Sequence, residues 1–348
     1  MTTKEKIINE LLDSKDKTIS GESLAACCNV SRAAIWKAIT ALRAEGFDIE
    51  GTTNGGYVLK NQGDAFSKEI IVNELSKAFP QFAQSHIECF KEIDSTNTYA
   101  KRELSLCGAL RNTDGSLTDN GKKYHQAIFV AESQTAGRGR LGRSFCSPAK
   151  TGIYLSVIYA PKGGITNPAR LTAFTAVAAC RAIKKLYNID SKIKWINDIY
   201  INQKKVAGIL TEGFTNFETA QIESAVIGIG VNITENQNAF PDEVKKVAGS
   251  ILDRPSHTAG RAELAARIAG EIFSVLEENP KDVIAEYKAL SFLLGKEITV
   301  HPVIGDVTKT YQATAIDIDN NAGLVVKLSD GTERTLNSGE VSVRQTSL

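Results

Sequence analysis

Gly137-Arg138-Gly139-Arg140-Leu141-Gly142-Arg143 is the stretch that decides between two folds. Its first six residues fit the GxGxxG pattern of dinucleotide sites. In a doubly wound sheet that loop must run straight into a helix, whose N-terminus holds the pyrophosphate. Here it runs into Ser144-Phe145-Cys146-Ser147-Pro148, a poor helix start. About 20 positions on, where an acidic residue would hold a ribose, residues 157–162 carry none. A Rossmann unit is therefore excluded. Glycines let backbone approach a ligand closely, and arginines supply planar, permanently charged donors for phosphate and carboxylate. Such a loop suits an anionic ligand that it admits and then covers. Taken alone, it also reads as a solvated basic loop.

Working outward, residues 63–292 alternate strand and helix signals. Strands are expected at 127–131, 152–160, 192–201, 205–211 and 222–233, with a turn at Asn202-Gln203. Helices are expected at 170–187, 261–278 and 281–291, the first burying Leu171, Phe174, Ala178 and Ile183. Residues 105–123, rich in Gly, Asn, Asp and Thr, read as an exposed, mobile loop. Residues 1–62 differ. Ile7, Ile8, Leu11 and Leu12 mark one helix, Ser20 caps a second, and Ser31 caps a third that buries Ile35, Ile39 and Leu42. Gly46 stops that helix, and two alternating runs flank a turn at 53–56. This spells a winged helix-turn-helix. Residues 293–348 hold short strands only, at 297–302, 310–317, 323–328 and 332–336, the pattern of a small β-barrel. The expected fold class is α+β, with a winged helix-turn-helix (1–62), a central mixed-sheet α/β domain (63–292) and an SH3-like barrel (293–348).

A chain of 348 residues is long enough for two or three cores. With 42% hydrophobic and 23% charged residues it has the composition of a globular protein. A net charge of +1 excludes a whole-chain field for nucleic acid or membrane, so any DNA contact has to be local. Cys27, Cys28, Cys89, Cys107, Cys146 and Cys180 contain no CxxC pair. With a polar N-terminus and no apolar run of about 18 residues, the expectation is free, buried thiols in a cytoplasmic protein without membrane contact.

Ala131-Glu-Ser-Gln-Thr-Ala-Gly-Arg-Gly-Arg-Leu-Gly-Arg143 resembles the signature loop of biotin–protein ligases. Four further segments match that family in order: Asp94-Ser-Thr-Asn97, Lys194-Trp-Ile-Asn-Asp198, Lys205-Val-Ala-Gly-Ile-Leu-Thr-Glu212 and Gly228-Ile-Gly-Val-Asn232. With a winged helix before and a barrel after, the whole chain resembles the bifunctional type that is also the biotin operon repressor. The resemblance implies ATP-dependent activation of biotin to biotinoyl-5'-AMP and transfer to a lysine of the biotin carboxyl carrier protein of acetyl-CoA carboxylase. It implies a biotin site of Ser95, Thr96, Asn97, Gln134, Gly137, Arg138, Gly139, Arg140, Phe145, Lys205, Gly208 and Gly230. The Gln134 amide offers both a donor and an acceptor to the ureido group. It implies a nucleotide site of Arg138, Arg140, Arg143, Lys194, Asn197, Lys205 and Asn232. Lys205 and Arg140 are the implied catalytic residues, Lys205 bridging the biotin carboxylate and the α-phosphate of ATP. No metal ligands are implied; Mg²⁺ arrives on the triphosphate. On local grounds, Ser95-Thr96-Asn97 also reads as a helix N-cap, Asn197-Asp198 as a turn and Lys205 as a solvated lysine. Two positions depart from the family pattern. Phe145 stands where an indole is common and lacks its N–H; Ile196 stands where proline is usual, which should loosen the turn.

On the third helix, Ala33, Trp36, Lys37 and Thr40 fall opposite the buried face. With Ser31 and Arg32 they are the candidates for DNA contact, and Thr52-Thr53-Asn54 would form the wing. Eight basic and eight acidic residues in 1–62 make the electrostatic support weak. The implied switch is that biotinoyl-AMP favours a homodimer that binds operator DNA. Two other functions fit part of the sequence: a lipoate–protein ligase, and a ligand-sensing transcription regulator without ligase activity.

Overall fold

The computed structural model describes residues 2–14, 17–52, 55–61, 65–215, 221–234, 240–252, 260–302 and 310–343. Helix α1 (Thr3–Asp13) opens on a capping box: the Glu5 N–H donates to Thr2 Oγ1, and the Thr2 N–H to the Glu5 carboxylate. Ser20 caps α2 (Gly21–Cys28), which ends at Asn29 in the left-handed region. Ser31 caps α3 (Arg32–Ala44). Strands β1 (Asp48–Thr52) and β2 (Gly56–Asn61) form an antiparallel hairpin. Ile7, Leu11, Leu24, Ile35, Ile39, Leu42 and Leu59 are all buried between these elements. Thr53 and Asn54, expected in the wing, lie outside the described residues.

The middle of the chain runs α4 (Lys68–Ala78), β3 (Ile87–Ile93), α5 (Thr96–Cys107), α6 (Asp119–Tyr124), β4 (Ile128–Gln134), β5 (Gly152–Tyr159) and α7 (Pro168–Tyr187). It continues with β6 (Lys192–Lys194), β7 (Asp198–Ile201), β8 (Lys204–Thr215), β9 (Ile222–Asn232), α8 (Asp242–Val247), α9 (Arg261–Glu277) and α10 (Pro280–Leu290). The strands make one seven-stranded mixed sheet in the order β3-β4-β5-β9-β8-β7-β6. β3 and β4 are parallel and the other neighbours antiparallel. Alternation along the strands splits the burial between two faces. Ile128, Val130, Val157, Ala225 and Ile227 join the core with α7 and α9, while Phe129, Ile158 and Val226 face α5.

The last part is an antiparallel sheet of β10 (Glu297–His301), β11 (Tyr311–Ile318), β12 (Leu324–Lys327), β13 (Glu333–Leu336) and β14 (Glu340–Val343), in the order β13-β12-β11-β10-β14. It is tied to the middle of the chain by Trp195 Nε1, in the turn between β6 and β7, donating to the Ala322 carbonyl (2.8 Å) and by the ion pair of Lys288 on α10 with Asp317 (2.8 Å).

Several expectations are corrected. Residues 192–201 are two short strands, β6 and β7, because Trp195-Ile196-Asn197 leaves the sheet to reach other partners. Ile196 does not loosen that turn: its side chain is buried, and the Tyr287 hydroxyl donates to its carbonyl at 3.2 Å. Residues 105–123 are the expected loop only in part: 108–118 join α5 to α6 and are mostly exposed, but the stretch is anchored. They contain the end of α5 and most of α6, Leu110 and Gly121 are buried, and the Arg111 guanidinium donates to the Ala160 and Gly115 carbonyls. None of the six cysteines forms a disulfide, but Cys28 and Cys180 alone among them are buried, and Cys27 is exposed. Among the described residues, no helix is long and apolar enough to cross a membrane.

Candidate active site

The α5 face of the sheet carries a first cavity. Strand register aligns Ser156 with Gly228 and Leu210, and Tyr154 with Gly230 and Gly208, across β5, β9 and β8. The glycines of this floor let side chains approach the backbone closely: Asn97 sits over Gly228, the Phe145 ring over Gly230 and the Lys205 side chain over Gly208. Helix α5 begins over this floor, with Ser95 Oγ accepting from the Thr98 N–H, and its N-terminal N–H groups give the cavity a positive potential. The space is narrow and walled by Ser95, Thr96, Asn97, Gln134, Arg138, Phe145 and Tyr154.

Its polar groups are strictly placed. Gln134 Oε1 accepts from the Thr96 N–H (2.8 Å) and Thr96 Oγ1 (3.2 Å), and Gln134 Nε2 donates to Ser147 Oγ (2.9 Å). Asn97 turns its polar atoms to protein: its Nδ2 donates to the Leu210 carbonyl (3.3 Å) and Glu212 Oε2 (3.0 Å), and its Oδ1 accepts from Ser156 Oγ (2.6 Å). Glu212 also pairs with Lys101 (2.8 Å) and lies 3.9 Å from the Arg138 guanidinium. Burial alone would raise the Glu212 carboxyl, but the bonds from Lys101 and Asn97 and the charges of Lys101 and Arg138 hold it below its ordinary value.

A second cleft of about 290 Å³, open to solvent, lies beyond Phe145 and is walled by Arg140, Arg143, Lys194, Asn197, Asp198, Lys205, His301 and Glu340. Phe145 lines both spaces and forms the partition between them. The turn between β7 and β8 has positive φ at Asn202 (47°) and Gln203 (65°), as a two-residue hairpin turn of the favoured type requires. It places Lys205 at the start of β8, beside a bulge in the β7–β8 pairing. Lys205 Nζ is 2.7 Å from Asp198 Oδ1. Arg140 donates to Asn197 Oδ1 at 2.9 Å, which ties the arginine loop to the β6–β7 turn. Arg143 pairs with Glu340 at 2.7 Å, which ties the same loop to β14. Burial pushes the Lys194 ammonium below its ordinary value; Asp198 opposes this, and the like charge of Lys205 adds to it. A cleft holding several cations in partial burial is built to receive an anion.

The structure thus sorts the expected residues. Ser95, Thr96, Asn97, Gln134, Arg138, Gly208 and Gly230 gather at the first cavity. Gly139, Arg140, Arg143, Lys194, Asn197 and Lys205 gather at the second, and Phe145 joins them. Arg138 and Arg140 are therefore on opposite sides of the partition. Gly137 packs under the Phe145 backbone, where a Cβ would collide with its carbonyl. Asn232 is buried and donates to the Gly249 carbonyl (3.1 Å), lining neither space. Sequence reasoning missed Ser156, Asp198, Glu212 and Glu340. Ser156 had a signal, a polar residue inside an otherwise apolar strand. On α3, Ser31, Arg32, Ala33, Trp36, Lys37 and Thr40 are all exposed, Trp36 by 60%.

The glycine floor gives a direct prediction. A Cβ at Gly228 would run into the Asn97 carboxamide. Gly228→Ala should cost about 1–3 kcal/mol of stability by overpacking, read as a lowered Tm, and weaken binding in the first cavity at least tenfold by calorimetry. Wild-type affinity would contradict this use of the floor.

Three parts of the chain match known families. Residues 90–232 match the biotin/lipoate A/B protein ligase family, residues 3–58 an HTH domain, and residues 293–344 the biotin protein ligase C-terminal domain. The chain is 28% identical to the bifunctional ligase/repressor BirA of Bacillus subtilis (strain 168) over 342 residues, covering 96% of each chain. It is 28% identical to the protein of the same name from Escherichia coli (strain K12), covering 93% of this chain and 92% of that one. Among solved structures, the biotin protein ligase from Aquifex aeolicus in complex with biotin and ATP is similar in fold, with a TM-score of 0.55 at 24% identity, over 75% of this chain and 99% of that one. The likeness to the two-function relatives runs nearly end to end, through the HTH segment, the ligase segment and the C-terminal sheet in the same order. The central segment of this chain, residues 90–232, therefore belongs to the biotin/lipoate A/B protein ligase family, and the chain is similar over nearly its whole length to relatives named bifunctional ligase/repressor.

Proposed function

We propose that this chain activates biotin with ATP to biotinoyl-5'-AMP and transfers the biotinoyl group to a lysine of the biotin carboxyl carrier protein of acetyl-CoA carboxylase. The observation that supports it best is the meeting of Lys205, Lys194 and Arg140 in one cleft, divided by Phe145 from a polar, glycine-floored cavity. In this reading the first cavity takes the biotin rings and the second takes the nucleotide, so the carboxylate and the α-phosphate meet at the partition. The carboxylate attacks the α-phosphorus, and the bond to pyrophosphate breaks. Both reactants are anions, so neutralisation by fixed cations is the main catalytic term. Lys205 exchanges its partner Asp198 for the reacting oxygens, and Arg140 and Lys194 hold the phosphate side. Mg²⁺ enters as part of the nucleotide substrate. In the second step the carrier lysine amine attacks the acyl carbon and AMP leaves. Biotin-dependent exchange of labelled pyrophosphate into ATP by the full chain tests the first step. Exchange that proceeds equally without biotin, or not at all, would contradict it.

The HTH segment supports a second role, as a cytoplasmic repressor of biotin genes that acts as a homodimer. Binding to operator DNA should tighten at least tenfold when biotin and Mg-ATP are both present, measured by fluorescence anisotropy at one fixed salt concentration. Equal affinity with and without them would refute the switch.

A further inference from the structure

The hydrogen-bond directions around Glu212 can be worked out from chemistry alone. A carboxylate and a main-chain carbonyl only accept. Asn97 must therefore present its NH₂ to Glu212 Oε2 and the Leu210 carbonyl, and its oxygen to Ser156. Ser156 is then obliged to donate to Asn97 Oδ1, which uses its one hydrogen. Towards Thr96 Oγ1, 2.7 Å away, Ser156 can now only accept. The Thr96 hydrogen is committed either to Ser156 or to Gln134 Oε1, so Thr96 Oγ1 faces the cavity as an acceptor. Gln134 is fixed independently, since its oxygen accepts from the Thr96 N–H, and its NH₂ must then be the donating end.

We propose that Glu212 is a specificity-determining residue that never touches the ligand. Through Asn97 and Ser156 it fixes Thr96 Oγ1 as an acceptor towards the cavity, and so selects a ring that presents an N–H there. The inference rests on the proposed biotin reading of this cavity. Buried groups with one allowed polarity discriminate strongly, because the wrong ligand leaves them unpaired. Lys101 and Arg138 keep the carboxylate ionised, and an ionised group holds this polarity more firmly than an amide, which can turn either end inwards.

Glu212→Gln keeps the shape and removes the polarity. Its amide can donate towards Asn97, which leaves the Leu210 carbonyl alone to hold Asn97 and weakens the order passed on through Ser156 to Thr96. The test is calorimetric titration of the full chain with biotin and with 2-iminobiotin, in which an imine replaces the ureido carbonyl. Wild type should prefer biotin, and Glu212→Gln should narrow that preference by about tenfold. Ser156→Ala, which cuts the relay further along, should narrow it too and serves if Glu212→Gln does not fold. Lys101→Met, which leaves Arg138 alone to keep Glu212 ionised, should narrow the preference less than Glu212→Gln does. An equal loss for both ligands in Glu212→Gln and Ser156→Ala would show a merely structural role and overturn the proposal. If wild type bound neither ligand, the biotin reading itself would fail, a distinct result.

Discussion

Lys205→Ala should lower biotin-dependent ATP–pyrophosphate exchange by about 10²- to 10³-fold, roughly 3–4 kcal/mol of transition-state stabilisation. The expectation follows from where the ammonium sits. It lies in the cleft beyond Phe145, at the rigid start of β8, within 2.7 Å of a carboxylate that a substrate carboxylate or phosphate can replace. Deleting it leaves two anions to approach each other with Arg140 and a Lys194 whose own charge is weakened by burial. Lys205→Arg should recover little, since a planar fork does not reproduce a point charge on the same stem. Affinity for biotin alone should change far less than the exchange rate, because the first cavity is lined without Lys205. A large loss of biotin affinity with an unchanged exchange rate would mean that Lys205 belongs to binding rather than to chemistry.

Arg140→Gly should uncouple making the adenylate from keeping it. Arg140 joins the arginine loop to Asn197 of the β6–β7 turn, and Arg143 joins it to Glu340 of β14. Together they close the loop over the cleft from two directions. Losing Arg140 removes one closure and adds a flexible residue to a loop already rich in glycine. The mixed anhydride should then escape and react with exposed lysines of unrelated proteins, instead of being held under the tethered loop. Labelling of a non-cognate protein such as serum albumin, followed by avidin blotting, should rise at least tenfold over wild type while pyrophosphate exchange persists. Wild-type selectivity in this variant would sink the role assigned to Arg140.

Much of this arrangement was legible in the sequence because it is local. Caps at Ser20 and Ser31, the exposed face of α3, the Asn202-Gln203 turn and the glycines of β9 each follow from residue chemistry within a few positions. The loop 137–143 could be separated from a dinucleotide site by the poor helix signal after it. What escaped was long-range. Glu212 matters because β8 carries it beneath α5, where Lys101 and Asn97 reach it across more than a hundred residues of chain. Asp198 reads as half of a turn until β8 brings Lys205 to it. Residues 105–123 have loop composition, yet the buried Leu110 and Gly121 and the anchored Arg111 hold them in place. Ile196 promised a loose turn, and tertiary partners at Tyr287 and Ala322 hold that turn firmly. Composition could not foresee the separation of Arg138 from Arg140 either. That depends on the Phe145 ring standing between two spaces, on the same loop that carries both arginines.

The competing functions part at one measurement. Full-length protein is incubated with biotin, lipoate, Mg-ATP and a biotin carboxyl carrier domain, and the carrier is weighed by mass spectrometry. The account predicts a single added biotinoyl group on one lysine, dependent on ATP. A lipoyl adduct, or an unmodified carrier beside a protein that still binds biotin, would contradict it.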